Sequence, residues 1–278
     1  MLLVLACGAL LVLAVAAAWR WRRYSLQLPE WAAGGEGASP APVRALVWLL
    51  AVALLTGVLV GTFVVGPAAR LAMRLLAAAS PDAQGRLTEA EEVVGEISLD
   101  GTLAIFVFIG LPVGIAVGFV YALVSFVLPR GVVGGAILGA SLLVIFGSRL
   151  DPLREDNPDF GIVGPGWLSV TTFTAMAVLT GILTAPIAGR IGAALPPPRL
   201  WWLAWALPFG LLAAAALSGA PVAVVIVGCL VFVAAVLVPR ERRVVVWRRG
   251  RIVVQGILAA TVGIALPGFL SAVSTIAG

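Results

Sequence analysis

Residues 102–147 read TLAIFVFIGLPVGIAVGFVYALVSFVLPRGVVGGAILGASLLVIFG and contain a single charged side chain, Arg130. A bilayer core of about 30 Å requires about 20 apolar residues per helix. The stretch therefore predicts two membrane-spanning helices, 102–128 and 131–147, which are joined by the two-residue turn Pro129-Arg130.

The rest of the chain has the same character. Of its 278 residues, 62% are hydrophobic and 11% are charged, whereas a soluble domain has about 25% charged residues. We predict an all-α, polytopic integral membrane helix bundle that forms one domain, 1–278, with about eight transmembrane helices. Seven spans stay possible, because segments 131–147 and 222–238 have only 17 residues each. The eight segments are 1–18, 45–66, 102–128, 131–147, 167–187, 200–219, 222–238 and 252–270.

The arginines predict the orientation of the bundle. Arg20, Arg22 and Arg23 follow the first apolar run, whereas a cleaved signal peptide carries its positive charges before that run. We therefore expect a retained first span, 1–18, loosely tethered by the linker 24–43. With the N-terminus outside, 13 arginines fall in inside segments and 5 in outside segments. This bias satisfies the positive-inside rule and places both the N-terminus and the C-terminus outside.

Missing residue types exclude several classes of function. The chain has no histidine, which excludes imidazole-ligated metals and Ser-His or Cys-His catalytic pairs. All 18 basic residues are arginine, so no lysine can form a Schiff base. No predicted span holds an ionisable residue between its ends, which argues against a proton-coupled transporter. The arginine-only, Ala/Gly/Val-rich composition indicates a bacterial protein, which we expect in the plasma (inner) membrane.

Ten of the thirteen acidic residues lie in the two predicted outside loops, 67–101 and 148–166. Acidic residues contribute little to orientation in the membrane, so insertion does not require this segregation. We interpret the two acidic loops as a small cap over the outer face of the bundle.

The first loop suggests two short helices. Arg70 and Arg74 lie one turn apart in 68–79, which reads as an amphipathic helix near the outer interface. Thr88 and Glu91 fit a capping box that would start a second helix. Its glutamates would share one face, namely Glu89, Glu92 and Glu96. One interpretation is structural: the arginines and glutamates form a salt-bridged lid or an anion-binding element. The other is functional: the lid closes a cavity or docks a partner.

The second loop contains four carboxylates, Asp151, Glu155, Asp156 and Asp159. Carboxylate oxygens are the ligands that Ca²⁺ and Mg²⁺ prefer, so a divalent-cation site is one hypothesis. The alternative is a solvated turn with local salt bridges, because Asx-Pro sequences are common in turns. We predict no other cofactor.

Small and hydroxyl residues mark two helix faces. Glycines recur every four residues in the third and fourth segments, which predicts close helix packing. Because only Pro129-Arg130 separates these segments, we expect their two glycine faces to meet. In the fifth segment, Ser169, Thr172, Thr180 and Thr184 share one face. Such hydroxyls either bond back to carbonyls of their own helix or line a hydrophilic pathway. The recurring glycines are Gly110, Gly114, Gly118, Gly131, Gly135 and Gly139.

Three hypotheses of function follow. The first is a non-enzymatic scaffold or a subunit of a membrane complex with a protein partner at its acidic outer face. The second is a facilitator for a small or lipidic substrate, and the third is a metal-dependent enzyme acting on lipid-linked substrates at the outer face. The arginine cluster 240–251 predicts contact with anionic lipid headgroups. Because topology explains the net charge of +5, we expect no binding to nucleic acid.

Overall fold

A computed structural model describes residues 1–29, 31, 41–89, 92–149, 153–154, 156–198 and 240–278. Every regular element in this part of the chain is a helix, so the predicted all-α class is confirmed for it. Two of the predicted spans, 200–219 and 222–238, lie outside the described residues. Within the described ranges, five helices are long and apolar enough to cross a membrane, namely Leu2–Trp21, Arg44–Ala78, Leu99–Val124, Gly166–Ala194 and Arg251–Ala277.

The helices follow the predicted apolar segments with shifted ends. They are α1 (Leu2–Trp21), α2 (Ala41–Val60), α3 (Gly66–Ala78), α4 (Leu99–Ala104), α5 (Leu111–Val124), α6 (Val132–Phe146), α7 (Gly166–Ala194) and α8 (Arg240–Ala277). The 15 residues of α6 reach about 22 Å at 1.5 Å per residue, which is less than the thickness of a bilayer core. Residues 240–251, predicted as a loop, are instead the first turns of α8.

Two π-helical turns join helices end to end. Gly61–Val65 connects α2 to α3, and Ile105–Gly110 connects α4 to α5. Each turn is followed within two residues by a proline, Pro67 or Pro112. Proline cannot donate to the carbonyl four residues earlier and clashes with it, and a π-helical turn accommodates such an irregularity without ending the helix.

The continuity of α2 and α3 corrects one prediction. Gly66-Pro67 was expected to end the second span, which is wrong, whereas the helix predicted over 68–79 is present as α3 and continues α2. Arg44–Ala78 is one helical unit of 35 residues, which is about 52 Å long. A bilayer core is about 30 Å thick, so the unit is longer than a span perpendicular to the membrane requires.

The first glycine ridge packs against α2. A Cβ added to Gly57 would lie 2.5 Å from the Cα of Ile115, and one added to Gly61 would lie 2.5 Å from the carbonyl oxygen of Gly110. Because these distances leave no room for a side chain, only glycine allows the two backbones to approach this closely. The seam consists of Ala53, Gly57, Gly61, Gly110, Gly114 and Gly118.

The second glycine ridge packs against α7. A Cβ added to Gly135 would lie 2.8 Å from the carbonyl carbon of Gly181, and one added to Gly139 would lie 3.0 Å from that of Ala177. The prediction that the two ridges face each other across the turn at Pro129 is therefore wrong. Each ridge packs against a different helix, through Gly110, Gly114 and Gly118 in the first and Gly135 and Gly139 in the second. Gly131 precedes α6 and takes no part in this packing.

Contacts between helices show which of their ends lie together. Just after the end of α1, the Tyr24 ring lies 5.6 Å from the Arg190 guanidinium near the end of α7, so the start of α1 lies toward the start of α7. At the end of α8, the backbone of Ile276 contacts that of Gly166 at the start of α7. Both chain termini therefore lie at the end of the bundle that carries the two acidic loops.

Candidate functional site

The two acidic loops contact each other at this end of the bundle, and we call the described residues of 79–100 and 153–165 the cap. Its base is a small apolar cluster of Ala83 and Val94 against Ala77 at the end of α3, with Ile162 and Val163 packed beside it. Burial of these side chains joins the first loop to the second.

A buried serine strengthens this base. The Ser80 hydroxyl donates to the Leu76 carbonyl at 2.8 Å and accepts a hydrogen bond from the Gly164 amide. One side chain thus satisfies a carbonyl in the last turn of α3 and an amide of the second loop. Gly164 has a φ of 74°, a left-handed conformation that favours glycine.

Glu89 is the polar link between the loops. Its carboxylate accepts from Arg154 Nη2 at 2.8 and 2.9 Å, and its backbone amide donates to Asp159 Oδ1 at 2.8 Å. Arg154 Nε also pairs with Asp156 Oδ1 at 2.8 Å. The sequence had suggested that Glu89 pairs with an arginine of α3, whereas the structure pairs it with Arg154.

The predicted helix beginning at Thr88 is wrong. Leu87 and Val93 form an antiparallel β-bridge, and the Val94 amide donates to the Arg86 carbonyl at 2.9 Å. Gly95 follows with a φ of 93°, which turns the chain back toward α4. The Thr88 hydroxyl caps this turn by accepting from the Glu92 amide at 3.2 Å, so Thr88 serves a hairpin-like turn instead of a helix, whereas Glu91 lies outside the described residues.

Most carboxylates of the cap face outward. Asp82, Glu96 and Asp100 are exposed, and the described part of the chain supplies no ion pair to them. Glu92 is exposed as well, with its carboxylate oxygens 3.1 Å from where a Cβ of Gly101 would lie. This position is in the first turn of α4, where a helix dipole favours negative charge.

The carboxylates of the metal hypothesis are in part engaged. Asp156 pairs with Arg154, and Asp159 accepts from the Glu89 amide. Asp151 and Glu155 lie outside the described residues. Within the described ranges, no group of three or more His, Cys, Asp or Glu side chains is placed to hold a metal ion. The metal hypothesis stays a prediction.

The hydroxyls of α7 bond mainly to their own helix. Thr180 donates to the Met176 carbonyl and Thr184 to the Thr180 carbonyl, both at 2.7 Å. Ser169 is buried and its hydroxyl has no hydrogen-bond partner in the described part of the chain, whereas Thr172 is half-buried. The pathway hypothesis also stays a prediction.

The burial of Arg70 was not predicted from the sequence. This residue is only 8% exposed, and neither Nε nor Nη2 has a hydrogen-bond partner among the described residues. Arg74, one turn further along α3, is exposed. Because the second span was expected to end at Gly66, both arginines were placed outside the packed helices. The missed signal was the apolar Ala-Leu pattern of α3, which continues that of α2.

The opposite end of the bundle has a cavity of about 570 Å³. Its wall combines apolar side chains with two exposed arginines, one from the turn after α5 and one from α8. Six of its lining residues are Leu26, Gln27, Trp48, Ser125, Arg130 and Arg251. Guanidinium groups above an apolar pocket suit the headgroup and the first methylenes of an anionic lipid.

No protein-family model, curated protein or solved structure matches this chain.

Proposed function

We propose that the chain is a non-enzymatic subunit or scaffold of a complex in the bacterial plasma membrane, and that its acidic cap docks a basic partner. The proposed topology has about eight spans, with the cap and both chain termini on the outer face. The arginine bias of 13 against 5 between predicted inside and outside segments supports this orientation.

The observation that carries the proposal is the unequal use of the acidic side chains of the cap. Glu89 and Asp159 hold the two loops together, whereas Asp82, Glu96 and Asp100 are exposed. A surface with one sign of charge attracts a partner of the opposite sign and raises the rate of association. The second group is therefore available to a partner without disturbing the fold of the cap.

The helices add a second line of support. α1 and the span Arg251–Ala277 bury only 17% and 11% of their most apolar windows. Helices that bury so little of their surface expose apolar side chains to lipid or to neighbouring helices. A subunit of a larger assembly needs such surfaces for lateral contact, whereas the glycine-packed pairs α2–α5 and α6–α7 supply a rigid centre.

The test removes charge from the cap without touching the residues that hold it together. The cap variant combines Asp82→Asn, Glu96→Gln and Asp100→Asn, and the matched control combines Glu30→Gln, Glu36→Gln and Glu241→Gln. Each variant loses three negative charges. Native mass spectrometry of gently purified protein measures the partner bound per chain.

We expect the wild type and the control to retain a partner at a fixed stoichiometry and the cap variant to lose it. Because the attraction is electrostatic, 0.5 M salt should also release the partner. A monomeric wild type would contradict the proposal, and so would equal retention by all three proteins.

The cavity at the opposite end supports a lipid partner as well. Arg130 and Arg251 line it together with apolar side chains. We therefore include anionic lipid headgroups among the partners, in agreement with the prediction for residues 240–251. Arg130→Gln combined with Arg251→Gln should lower the preference for phosphatidylglycerol over phosphatidylcholine in nanodiscs, and an unchanged preference would reject this assignment.

A further inference from the structure

Arg70 is a buried cation for which the described part of the chain supplies no anion. Its side chain is more than nine-tenths buried, and two of its three guanidinium nitrogens lack a hydrogen-bond partner. Arginine does not lose its proton in proteins, so the charge cannot be relieved by deprotonation. A buried charge without a partner is strongly destabilising, which indicates that a group outside the chain neutralises it.

The surroundings of Arg70 explain why the chain itself does not do so. Cys7 of α1 is within electrostatic range, but a thiol is only a weak hydrogen-bond acceptor. Two carboxylates of the cap are used elsewhere: Glu89 binds Arg154, and Glu92 lies beside the first turn of α4 at Gly101. Asp82, Glu96 and Asp100 are exposed. No carboxylate oxygen of the described residues lies within salt-bridge distance of Arg70.

Arg74 marks the direction from which an anion would approach. It follows Arg70 by four residues in α3, so the two side chains lie on the same side of the helix. Arg74 is exposed and its neighbours Met73 and Leu75 are 45% and 48% exposed. A basic pair flanked by exposed apolar side chains, just beyond the apolar run 45–66, suits the boundary between headgroups and acyl chains.

α1 packs against α3, the helix that carries Arg70. In the described part of the chain, the fully buried side chains of α1 are Cys7, Ala14 and Ala18, so most of this helix faces away from the bundle.

We propose that Arg70, assisted by Arg74, binds a phosphate group at the cap end of the bundle. The planar fork of a guanidinium matches two phosphate oxygens, and the phosphate is supplied by a phospholipid headgroup or by free phosphate. The exposed Met73 and Leu75 favour the headgroup. This site is independent of partner docking on the acidic cap, since it uses none of the exposed carboxylates.

The experiment measures phosphorus and mass on purified protein. Wild type, Arg70→Met, Arg70→Lys and the control Arg86→Met, which removes an exposed arginine of the cap, are delipidated in detergent. Phospholipid retained per chain is measured by native mass spectrometry and phosphorus assay. The melting temperature is then recorded with added phosphatidylglycerol, phosphatidylcholine or inorganic phosphate.

We expect Arg70→Met to retain one phospholipid fewer per chain than the wild type and the control. Arg70→Lys keeps the charge but not the fork, so its retention should fall by roughly tenfold, as expected for a lost charge-assisted hydrogen bond. The Arg70→Lys variant also tests the site if Arg70→Met fails to fold. A rise in wild-type melting temperature with inorganic phosphate alone supports the site and assigns free phosphate as the source.

Three results would overturn the proposal. The first is a phospholipid retained equally by wild type and Arg70→Met. The second is a wild type that neither retains phospholipid nor responds to any phosphate source, together with a higher melting temperature for Arg70→Met, since replacing an uncompensated buried charge by an apolar side chain stabilises. The third is a bound protein, in place of a lipid, that Arg70→Met releases.

Discussion

The α6–α7 helix pair and the cap belong to one chain but are held together by different interactions. In the helix pair, Gly135 and Gly139 bring two backbones into direct contact along α7. In the cap, one ion pair, a few hydrogen bonds and a small apolar cluster join two loops. The first region therefore depends on the absence of side chains, whereas the second depends on particular polar atoms and leaves other carboxylates exposed.

This difference separates the residues that maintain the fold from those that are free to bind a partner. In the seam the two backbones touch directly, so every substitution at Gly135 or Gly181 changes the packing itself. The cap keeps Asp82 and Glu96 exposed because the Glu89–Arg154 pair is enough to join its loops. We therefore expect large effects on stability from the seam and effects mainly on binding from the cap.

The largest effect is expected for Gly181→Leu. Its Cβ would lie 2.8 Å from the Gly139 amide nitrogen, and forcing side-chain atoms into a packed interface costs about 1–3 kcal/mol or more. Unfolding in a denaturing-detergent titration measures the loss. The matched control is Gly256→Leu in α8, where no atom lies within 4 Å of the added Cβ, and the expected change there is below about 0.5 kcal/mol.

Equal losses of stability in the two glycine variants would contradict the backbone seam between α6 and α7. A small loss at Gly181 with a large one at Gly256 would do the same.

A smaller effect is expected for Thr184→Val. Among the described residues, the buried hydroxyl donates to the Thr180 carbonyl of its own helix. Side-chain hydrogen bonds between membrane helices contribute about 0.6 kcal/mol on average, and we expect a bond within one helix to contribute no more. The same denaturing titration applies. The double variant Thr172→Val/Thr180→Val tests the alternative. If it lowered solute flux in proteoliposomes at unchanged stability, the hydroxyls would line a pathway, and α7 could no longer be contrasted with the cap as a region that only packs.

The smallest effect is expected at the ion pair of the cap. The side chains of Arg154 and Glu89 are 30% and 48% exposed, and such pairs contribute about 0.2–1 kcal/mol. A double-mutant cycle with Arg154→Gln and Glu89→Gln isolates the coupling energy, which should shrink as salt is raised. A coupling above about 2 kcal/mol that salt does not weaken would show that the cap is as rigid as the seam.

The sequence predicted the helices better than their partners. Apolar runs predict spans because a helix must reach a minimum length to cross a bilayer. Accordingly, α1, α6 and α7 lie at the positions that hydropathy predicts. A four-residue glycine spacing marks a packing face but carries no information about what packs on it. Gly57 and Gly61 in α2 repeat the same spacing, and they are the partners that the reading of Pro129-Arg130 as a tight hairpin overlooked.

Two predictions from short sequence patterns failed because other residues determined the local structure. Gly66-Pro67 is typical of a helix end, but the π-helical turn Gly61–Val65 carries the helix through it. Thr88 has the pattern of a helix cap, but the left-handed Gly95 and the bridge to Val93 turn the segment back. Arg154 as the partner of Glu89 could not be read from the sequence, because 65 residues separate them.

The central claim is that the acidic cap faces the outside of the cell, where a partner can reach it. Single cysteines at Asp82 or Glu96 of the cap, and at Gln27 or Pro196 of the opposite end, are introduced into a Cys7→Ala/Cys229→Ala background. Labelling by a membrane-impermeant maleimide is then measured on cells with a permeabilised outer envelope and an intact plasma membrane. We predict that the two cap positions are labelled and that the other two react only after lysis. Labelling of Gln27 and Pro196 in unlysed cells, with protection of Asp82 and Glu96, would contradict the account.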